Sequence, residues 1–271
     1  MPELPEVETI AKYLRSERGV DGKTISGAQV FWPRSLAVPS LNQFIVDVRG
    51  QKIGAVERRG KFLKLNLTRQ TLLIHLRMSG DIFVESEVPS RETKHDRVVL
   101  EFIDGSRMAF NDTRKFGRVW LVDDPLIVTG SLGPEPLENS LTVDFFSGML
   151  ANVKRQIKPL LMDQTFIAGL GNIYTDEALF LAGIHPCTSS DRIGDEKASD
   201  LLAAVREVLL EGIKRNGASI DWVYRGGDFQ NQFKVYQRTG LPCYRCGTAI
   251  ERIAVAQRGT HFCPRCQPLI S

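Results

Sequence analysis

The chain has 271 residues and a net charge of only +3, and its 42% hydrophobic content is that of an ordinary globular protein. This length predicts two domains plus a small appendage, and no apolar run is long enough to span a bilayer. The first residues are acidic and broken by prolines, unlike a signal peptide, so we expect a cytoplasmic protein. The net charge is too small to indicate a nucleic-acid partner by itself.

The first part of the chain, residues 1–132, is predicted to be a helix followed by an antiparallel β-sandwich. Apolar residues recur at three- and four-residue spacing from Leu4 to Leu14, which predicts a helix over residues 3–17. A turn sequence at residues 104–105 predicts a hairpin between the last two strands. The predicted strands span residues 52–57, 62–67, 71–76, 98–103 and 107–110.

A Gly-Pro-Glu-Pro sequence at residues 133–136 marks a linker, after which the pattern becomes helical. The clearest apolar stripe lies between Leu201 and Leu209, and it is typical of a helix packed against a core. We therefore predict a helical domain over residues 133–231 and a small third domain over residues 232–271. Such a short third domain cannot bury a core of its own, so it needs a covalent or metal staple.

The third domain carries two Cys-x-x-Cys pairs at the spacing that tetrahedral zinc requires. Its four cysteines are Cys243, Cys246, Cys263 and Cys266. In a cytosolic chain disulfides are the weaker alternative, so we predict one structural zinc ion with no coordination position left for a catalytic water. The remaining cysteine, Cys187, is expected to be a buried structural residue.

The residues between the cysteine pairs predict a β-hairpin, over residues 250–256 and 260–263, with Arg258 near its tip. From residue 231 onward there are six basic side chains and a single acid, Glu251. Such a tail is attracted to a phosphate backbone, although a solvated basic face is the alternative interpretation.

The start of the chain offers a nucleophile. Removal of Met1 would leave Pro2 with a secondary amine, and α-amino groups have pKa values near 8, so an appreciable fraction is unprotonated at neutral pH. Attack of this amine on a sugar C1′ gives a cationic iminium that acts as an electron sink. Glu3, the next residue, could deliver or accept protons at the sugar. A Met-Pro-Glu start is too common to indicate this chemistry without further support.

Six stretches, in order, resemble the formamidopyrimidine-DNA glycosylase family. The opening Pro-Glu-Leu-Pro-Glu-Val-Glu-Thr is the first of them. The others are Arg-Arg-Gly-Lys-Phe-Leu at 58–63, His-Leu-Arg-Met-Ser-Gly at 75–80, Asp-Thr-Arg-Lys-Phe-Gly at 112–117, Gly-Leu-Gly-Asn-Ile-Tyr at 169–174 and Gln-Arg-Gly-Thr-His-Phe-Cys at 257–263. The likeness covers essentially the whole chain.

The resemblance implies an α+β fold with an N-terminal helix on an antiparallel β-sandwich, a helix–two-turn–helix domain and a zinc finger. It implies a protein that acts on damaged double-stranded DNA in the bacterial cytoplasm, at the nucleoid, and nothing in the sequence requires more than a monomer. It also implies catalytic roles: Pro2 forms the Schiff base, Glu3 acts as an acid on the deoxyribose, Lys61 donates a proton in β-elimination, and Arg258 grips phosphates and takes part in δ-elimination.

The same resemblance implies a set of DNA-binding residues. Glu6 is expected near a nucleoside flipped out of the duplex, and the amides after Gly169 are expected to open a helix that suits a phosphate. Met78, Arg114 and Phe116 are expected to fill the space that the flipped base leaves. The remaining phosphate-gripping residues are His75, His95, Lys154, Lys158 and Asn172.

Two departures from the family pattern stand out. The segment from Ser219 to Asn231, which corresponds to the loop that caps a flipped 8-oxoguanine, is short, and Trp222, Tyr224 or Phe229 could stack on the base instead. The family's Lys-His-Asp-His reads Lys-His-Asp-Arg at residues 94–97, so Arg97 stands where the family has its second histidine. The first departure predicts weaker recognition of 8-oxoguanine than of formamidopyrimidines.

Two other functions compete with removal of oxidised purines. Endonuclease VIII-like glycosylases share the fold and the proline but prefer oxidised pyrimidines, and their opening typically has glycine where this chain has Leu4. A non-catalytic zinc-ribbon DNA-binding protein has no need of Pro2, Glu3 or Lys61. We therefore expect a bifunctional glycosylase and abasic-site lyase for oxidised purines.

Overall fold

The computed structural model describes residues 1–85, 91, 93–219 and 226–269. Its contacts divide the chain into two compact units: unit 1 holds residues 1–2 and 7–131, and unit 2 holds residues 3–6 and 132–271. The expected α+β class, with its β-sandwich, helical domain and C-terminal hairpin, is confirmed. The separate boundaries at residues 132 and 231 stay predictions.

Unit 1 contains two β-sheets. Its strands are β1 (Ile25–Val30), β2 (Leu36–Val38), β3 (Ile53–Arg59), β4 (Phe62–Leu67), β5 (Thr71–His75), β6 (Gly80–Glu85), β7 (Asp96–Phe102), β8 (Arg107–Asp112) and β9 (Arg118–Val122). One sheet has the order β2-β9-β5-β4-β3 and the other has the order β1-β7-β8-β6. All five strands predicted from the sequence are present, but β1, β2, β6 and β9 were not predicted.

The registers explain which side chains enter the core of unit 1. Strand β4 alternates between half-buried and buried positions, with Leu63 and Leu65 fully buried, as expected for a strand that covers a core with one face. Strand β5 is buried at every position because it lies in the middle of its sheet. The strand pairs are antiparallel except for β2, which runs parallel to β9.

The helices of unit 1 are short apart from the first. They are α1 (Leu4–Arg15), whose first three residues belong to unit 2, α2 (Leu41–Val48) and α3 (Leu126–Thr129). The predicted N-terminal helix is confirmed, and Val7, Ile10 and Leu14 are fully buried along one face. Tyr13 on the same helix donates a 3.1 Å hydrogen bond to the carbonyl of Val84 in β6.

In its described residues, unit 2 combines four α-helices with one hairpin. They are α4 (Val143–Ala151), α5 (Ile157–Met162), α6 (Asn172–Ala182), α7 (Asp195–Lys214), β10 (Glu251–Val255) and β11 (Arg258–Phe262). Nine of the eleven residues of α6 are buried, so α6 is the central element of the unit, and α7 packs its apolar stripe against it. Within the described ranges, no helix has both the length and the apolar character of a membrane span.

Candidate active site and nucleic-acid interface

Glu3 is fixed in unit 2 by the start of α6. Its buried carboxylate accepts hydrogen bonds from the amides of Gly171 (2.7 Å), Ile173 (2.9 Å) and Tyr174 (3.4 Å). Unpaired amides and the positive end of the helix dipole stabilise an anion at this place. These three amides bind Glu3 in the structure, and a phosphate contact at the start of this helix stays a prediction. The carboxylate is held rigidly at the residue that follows Pro2.

Glu6 is held by three donors in the same unit. Its carboxylate accepts bonds from the amide of Glu3 (2.7 Å), the hydroxyl of Tyr174 (2.8 Å) and the amide of Ala218 (2.8 Å). Burial, followed by the nearby Glu6 charge, raises the pKa of Tyr174 well above its ordinary value, so the hydroxyl stays protonated and donates. Gly217 has a φ of +81°, and a Cβ there would lie 2.6 Å from a Glu6 oxygen.

Pro2 and Lys61 are both buried in unit 1. Lys61 lies in the tight turn between β3 and β4, directly after Gly60, whose φ is +55°. The turn places Lys61 next to Phe62, which pairs across the sheet with His75. The two predicted residues Lys61 and His75 are thereby brought together at one end of neighbouring strands.

His75 is neutral. Burial, together with the charges of Arg77 and Lys61, lowers its pKa to about 3. Its Nδ1 accepts a 3.1 Å bond from the amide of Arg77, and its ring meets that of Phe62 edge to face at 4.8 Å. Any contact of His75 with a phosphate would therefore use a neutral Nε2–H donor rather than a positive charge.

The three residues expected to fill the vacated base position lie on two turns of unit 1. Met78 is half-buried on the turn between β5 and β6. Arg114 and Phe116 are exposed on the turn between β8 and β9, with the guanidinium 5.1 Å from the centre of the phenylalanine ring. Arg114 and Phe116 therefore lie side by side on the surface of this turn.

The sequence argument missed Asp112, which ties these two turns together. This fully buried carboxylate accepts bonds from the Ser79 hydroxyl, the Arg114 amide (3.1 Å) and the Gly117 amide (2.7 Å). The Arg114 amide also donates to the Ser79 hydroxyl at 3.2 Å. The two turns are therefore positioned as one surface. The only signal in the sequence was the position of Asp112 at the start of the Asp-Thr-Arg stretch.

The departure at Arg97 has a structural explanation. The Arg97 guanidinium lies 3.2 Å from Nδ1 of half-buried His95 and donates a 2.7 Å bond to the carbonyl of Asp112. Because a guanidinium can only donate, Nδ1 of His95 must accept, and the ring keeps its hydrogen on Nε2. Arg97 thus orients the His95 ring so that Nε2 is its donor.

The phosphate-gripping residues predicted in unit 2 differ in exposure. Lys154 and Arg258 are exposed, whereas Lys158 is only 1% exposed. Its ammonium donates to Asp176 at 2.6 Å and to the carbonyl of Gly259 at 3.1 Å. The charge of Lys158 is thus paired inside the protein, and its expected contact with a phosphate stays a prediction.

Asn172 is the first residue of α6. Its side-chain Nδ2 donates a 3.1 Å hydrogen bond to the same Gly259 carbonyl that Lys158 contacts. Its side chain is therefore directed towards the hairpin that carries Arg258. Asp176 and Glu177, two buried carboxylates on α6, were missed by the sequence argument, because nothing in the helical pattern distinguishes them from exposed acids.

The four predicted zinc ligands form one cluster, with all ligand atoms within 4.8 Å of one another. Four thiolates bound to zinc at about 2.3 Å lie about 3.8 Å apart in a tetrahedron, and the observed Sγ–Sγ distances include 3.5 and 3.9 Å. The residues therefore fit a structural zinc ion. Cys187 lies outside this cluster and is half-buried, so its expected full burial is wrong.

Of the three aromatic residues that could stack on a flipped base, only Phe229 lies in the described part of the chain. Phe229 is 3% exposed and stacks on Tyr174 with ring centres 4.9 Å apart, so it belongs to the core of unit 2 and not to a base-stacking surface. Trp222 and Tyr224 lie outside the described residues.

Comparisons with known proteins agree over the whole chain. Residues 1–119 match the model of the formamidopyrimidine-DNA glycosylase N-terminal domain, residues 132–223 match the formamidopyrimidine-DNA glycosylase H2TH domain, and residues 240–269 match the zinc finger found in FPG and IleRS. The chain is 44% identical to the formamidopyrimidine-DNA glycosylase of Protochlamydia amoebophila, over 98% of this chain and 99% of that protein. It is 46% identical to the enzyme of the same name from Chloroflexus aggregans, over the full length of both.

Solved structures are similar at the level of the fold. A structure of MutM in complex with DNA containing carbocyclic 8-oxo-G has a TM-score of 0.90 and 36% identity, covering 98% of this chain and all of that one. The Lactococcus lactis FPG (MutM) in complex with DNA containing FAPY-dG has the same score, identity and coverage.

Proposed function

The chain belongs to the formamidopyrimidine-DNA glycosylase family, and we propose that it excises oxidised purines from duplex DNA and then cleaves the strand through Pro2. Its relatives in solved structures hold DNA with 8-oxo-G or FAPY-dG, which supports this substrate class over the oxidised pyrimidines of endonuclease VIII-like enzymes. The match to the N-terminal domain model argues against a non-catalytic zinc ribbon. We further propose that it acts in the bacterial cytoplasm.

The observation that carries this proposal is the fixation of Glu3. The α6 amides fix the orientation of its carboxylate, and Glu3 directly follows Pro2 in the sequence. In the proposed reaction the Pro2 nitrogen forms a bond to C1′. The glycosidic bond breaks, and the base leaves with its electron pair and with the proton that the Pro2 amine releases. The Glu3 carboxylate takes up a proton from solvent and donates it to the ring oxygen of the deoxyribose, which opens the ring and leaves an iminium on Pro2.

Strand cleavage then follows from the iminium. The cation acidifies the hydrogen at C2′, whose loss expels the 3′ phosphate, and a second elimination expels the 5′ phosphate. We assign Lys61 as the proton donor in the first elimination and Arg258 as the phosphate-binding residue beside the lesion. The zinc ion, held by the four cysteines, supplies structure to the finger and no chemistry.

Met78, Arg114 and Phe116 are proposed to occupy the duplex where the base has left. A base must leave the stack before C1′ is accessible, and the apolar side chains fill that space while Arg114 bonds to the orphaned base. The common anchoring of both turns by Asp112 supports a joint role for these residues.

Borohydride trapping on lesion-containing duplexes tests the proposed function, because only an imine-forming enzyme is reduced onto its DNA. We expect a trapped complex with the natural protein, and a loss of about 100-fold or more when Pro2→Gly removes the secondary amine or when Met1 is retained. Pro5→Ala, a proline change in the same segment, is the control and should keep the trapping. Full activity of a protein that mass spectrometry shows to retain Met1 would contradict the assignment.

The same panel of lesions tests the preference that we infer from the short segment between Ser219 and Asn231, of which residues 220–225 lie outside the described residues. Each lost hydrogen bond to the base lowers affinity by about 1 kcal/mol, so two or three losses reduce 8-oxoguanine excision by roughly one to three decades relative to formamidopyrimidines. Single-turnover rates on matched duplexes measure this ratio. An 8-oxoguanine rate equal to or above the formamidopyrimidine rate would reject the preference.

A further inference from the structure

We propose that Asp176 is a positioning residue that sets the place of Arg258 on the zinc-finger hairpin, acting through Lys158 and the Gly259 carbonyl. The inference rests on the proposed function in one respect, the phosphate-binding role of Arg258. Lys158 and Asp176 form a buried ion pair that the proposed chemistry does not use.

Asp176 lies on α6 and is completely buried. One carboxylate oxygen accepts the 2.6 Å bond from the Lys158 ammonium. The other accepts the backbone amide of His261 in β11 at 2.9 Å and lies 3.2 Å from Nδ1 of the same residue. A single side chain of the central helix therefore contacts both the α5 lysine and the second strand of the hairpin.

The Gly259 carbonyl is the second anchoring point, one residue after Arg258. Lys158 and Asn172 each donate to it at 3.1 Å, so two donors from α5 and the start of α6 converge on one oxygen. A Cβ at Gly259 would lie 2.8 Å from the Arg252 guanidinium, so a side chain there would displace that arginine. The backbone on both sides of Thr260 is thus fixed from the helical part of unit 2.

Helix α6 holds Glu3 by its first amides and holds the hairpin by Asp176, less than two turns further along. Both ends of this arrangement lie in unit 2, so the helix fixes the distance between the Glu3 carboxylate and the backbone at Arg258. A buried ion pair is weak evidence for stability as such, because desolvation offsets much of its attraction. Its hydrogen bonds are directional, however, and they specify one position of the hairpin.

The experiment is a double-mutant cycle between Asp176→Asn and Arg258→Ala. The readout is affinity for a duplex that carries a tetrahydrofuran abasic analogue, which requires no catalysis. We expect Arg258→Ala to weaken binding of the natural protein about tenfold, and by less than about threefold in the Asp176→Asn background, because a displaced arginine no longer reaches its phosphate.

Glu177→Gln provides the matched control. Glu177 is the neighbouring buried carboxylate on α6, but it accepts the amides of residues 234–236 instead of the hairpin. A purely structural role of Asp176 predicts the same behaviour for both variants. We expect similar losses of melting temperature, with the full effect of Arg258→Ala retained in the Glu177→Gln background.

Asp176→Asn leaves the Lys158 ammonium buried without its counter-charge and could unfold the unit, so a second variant keeps the inference testable. Lys158→Met combined with Asp176→Asn removes both charges, which should restore the melting temperature but not the affinity contributed by Arg258. In an active protein the same variants should accumulate the β-elimination product relative to the δ-elimination product. An undiminished Arg258→Ala effect in both backgrounds, or an equal reduction with Glu177→Gln, would overturn the inference even if no imine were ever trapped.

Discussion

At the scale of single residues, backbone amides hold three buried carboxylates of the candidate site. Glu3 and Glu6 each receive bonds from amides in unit 2, and Asp112 receives two amides and a hydroxyl in unit 1. A buried carboxylate without such partners would be costly, and with them it is both satisfied and immobile. Immobility is what residues that must meet one atom of a substrate require.

Arg114 leads to a prediction about the base opposite the lesion. Its guanidinium donates to the O2 and N3 acceptors of cytosine, whereas adenine presents a donor at N6. We expect excision opposite cytosine to exceed excision opposite adenine by about tenfold or more, and Arg114→Ala to reduce this ratio towards one. Single-turnover excision on paired duplexes measures it.

Lys115→Asn is the control for this prediction, because Lys115 lies on the same turn and its φ of 62° suits asparagine. It should leave the ratio unchanged. Equal rates opposite cytosine and adenine in the natural protein would show that Arg114 does not recognise that base.

His75 leads to a prediction about acid stability. Its folded pKa of about 3 lies far below the ordinary value of 6.5, so between these values the unfolded chain binds a proton that the folded chain does not. Stability is therefore fully present above pH 6.5 and is lost as the pH falls towards 3, by about 1.4 kcal/mol per pH unit from this one group. His75→Gln, which cannot be protonated, should reduce the slope by that amount.

Urea unfolding at several pH values between 7 and 4, followed by tryptophan fluorescence, measures this slope. The same slope in the natural protein and in His75→Gln would contradict the prediction.

At the scale of elements, α6 organises unit 2. It receives Glu3 at its first turn, and it contacts the hairpin through Asp176. The finger reaches the end of the same helix, where Arg245 stacks on Phe180 at 4.6 Å and donates to its carbonyl at 3.0 Å. The short finger is therefore stabilised by both its cysteine cluster and a helix outside it.

Removal of zinc tests the contribution of the cluster. Metal binding and folding are one equilibrium in such small units, so a chelator or Cys246→Ser should unfold the finger and lower DNA affinity by about 100-fold or more. Elemental analysis should find one zinc per chain before treatment. Cys187→Ser changes a cysteine outside the cluster and should change neither zinc content nor affinity. Active protein without zinc would refute the prediction.

At the scale of the whole molecule, the chain start belongs to two units. Residues 1–2 group with residues 7–131, while residues 3–6 group with residues 132–271. Residues 3–6 thereby pack with a unit whose other residues begin at residue 132, which is 126 positions after Glu6. The stability of unit 2 should accordingly depend on the first turn of α1.

Glu6→Ala tests this dependence. It removes the acceptor of three buried donors, on Glu3, Tyr174 and Ala218, and each unsatisfied buried donor costs about 1–3 kcal/mol. We expect the free energy of unfolding to fall by about 3 kcal/mol or more, as measured by urea denaturation. Glu17→Ala changes an exposed glutamate just after α1 and should alter the free energy of unfolding by no more than about 0.5 kcal/mol. If Glu6→Ala also lost no more than that, the proposed role of Glu6 would be contradicted.

The sequence by itself determined the features that depend on local spacing. The three-four apolar repeat predicted α1, and the two Cys-x-x-Cys pairs predicted a cluster that the structure contains. Strands β4 and β5 were predicted from short apolar runs, while β1 and β9 were missed because such short segments become strands through pairing with neighbours that are distant in sequence. Helix α2 has only eight residues, too few for a clear repeat.

Only the tertiary structure decided what each buried polar residue contacts. A free helix N-terminus attracts any anion, and the fold places Glu3 at the start of α6 because residues 3–6 belong to unit 2. Lys158 looks like any solvated lysine in the sequence, yet Asp176 and the Gly259 carbonyl enclose it. Hydrogen bonds between residues 18, 101 or 168 positions apart leave no periodic signal, because they depend on distances that exist only after the chain has folded.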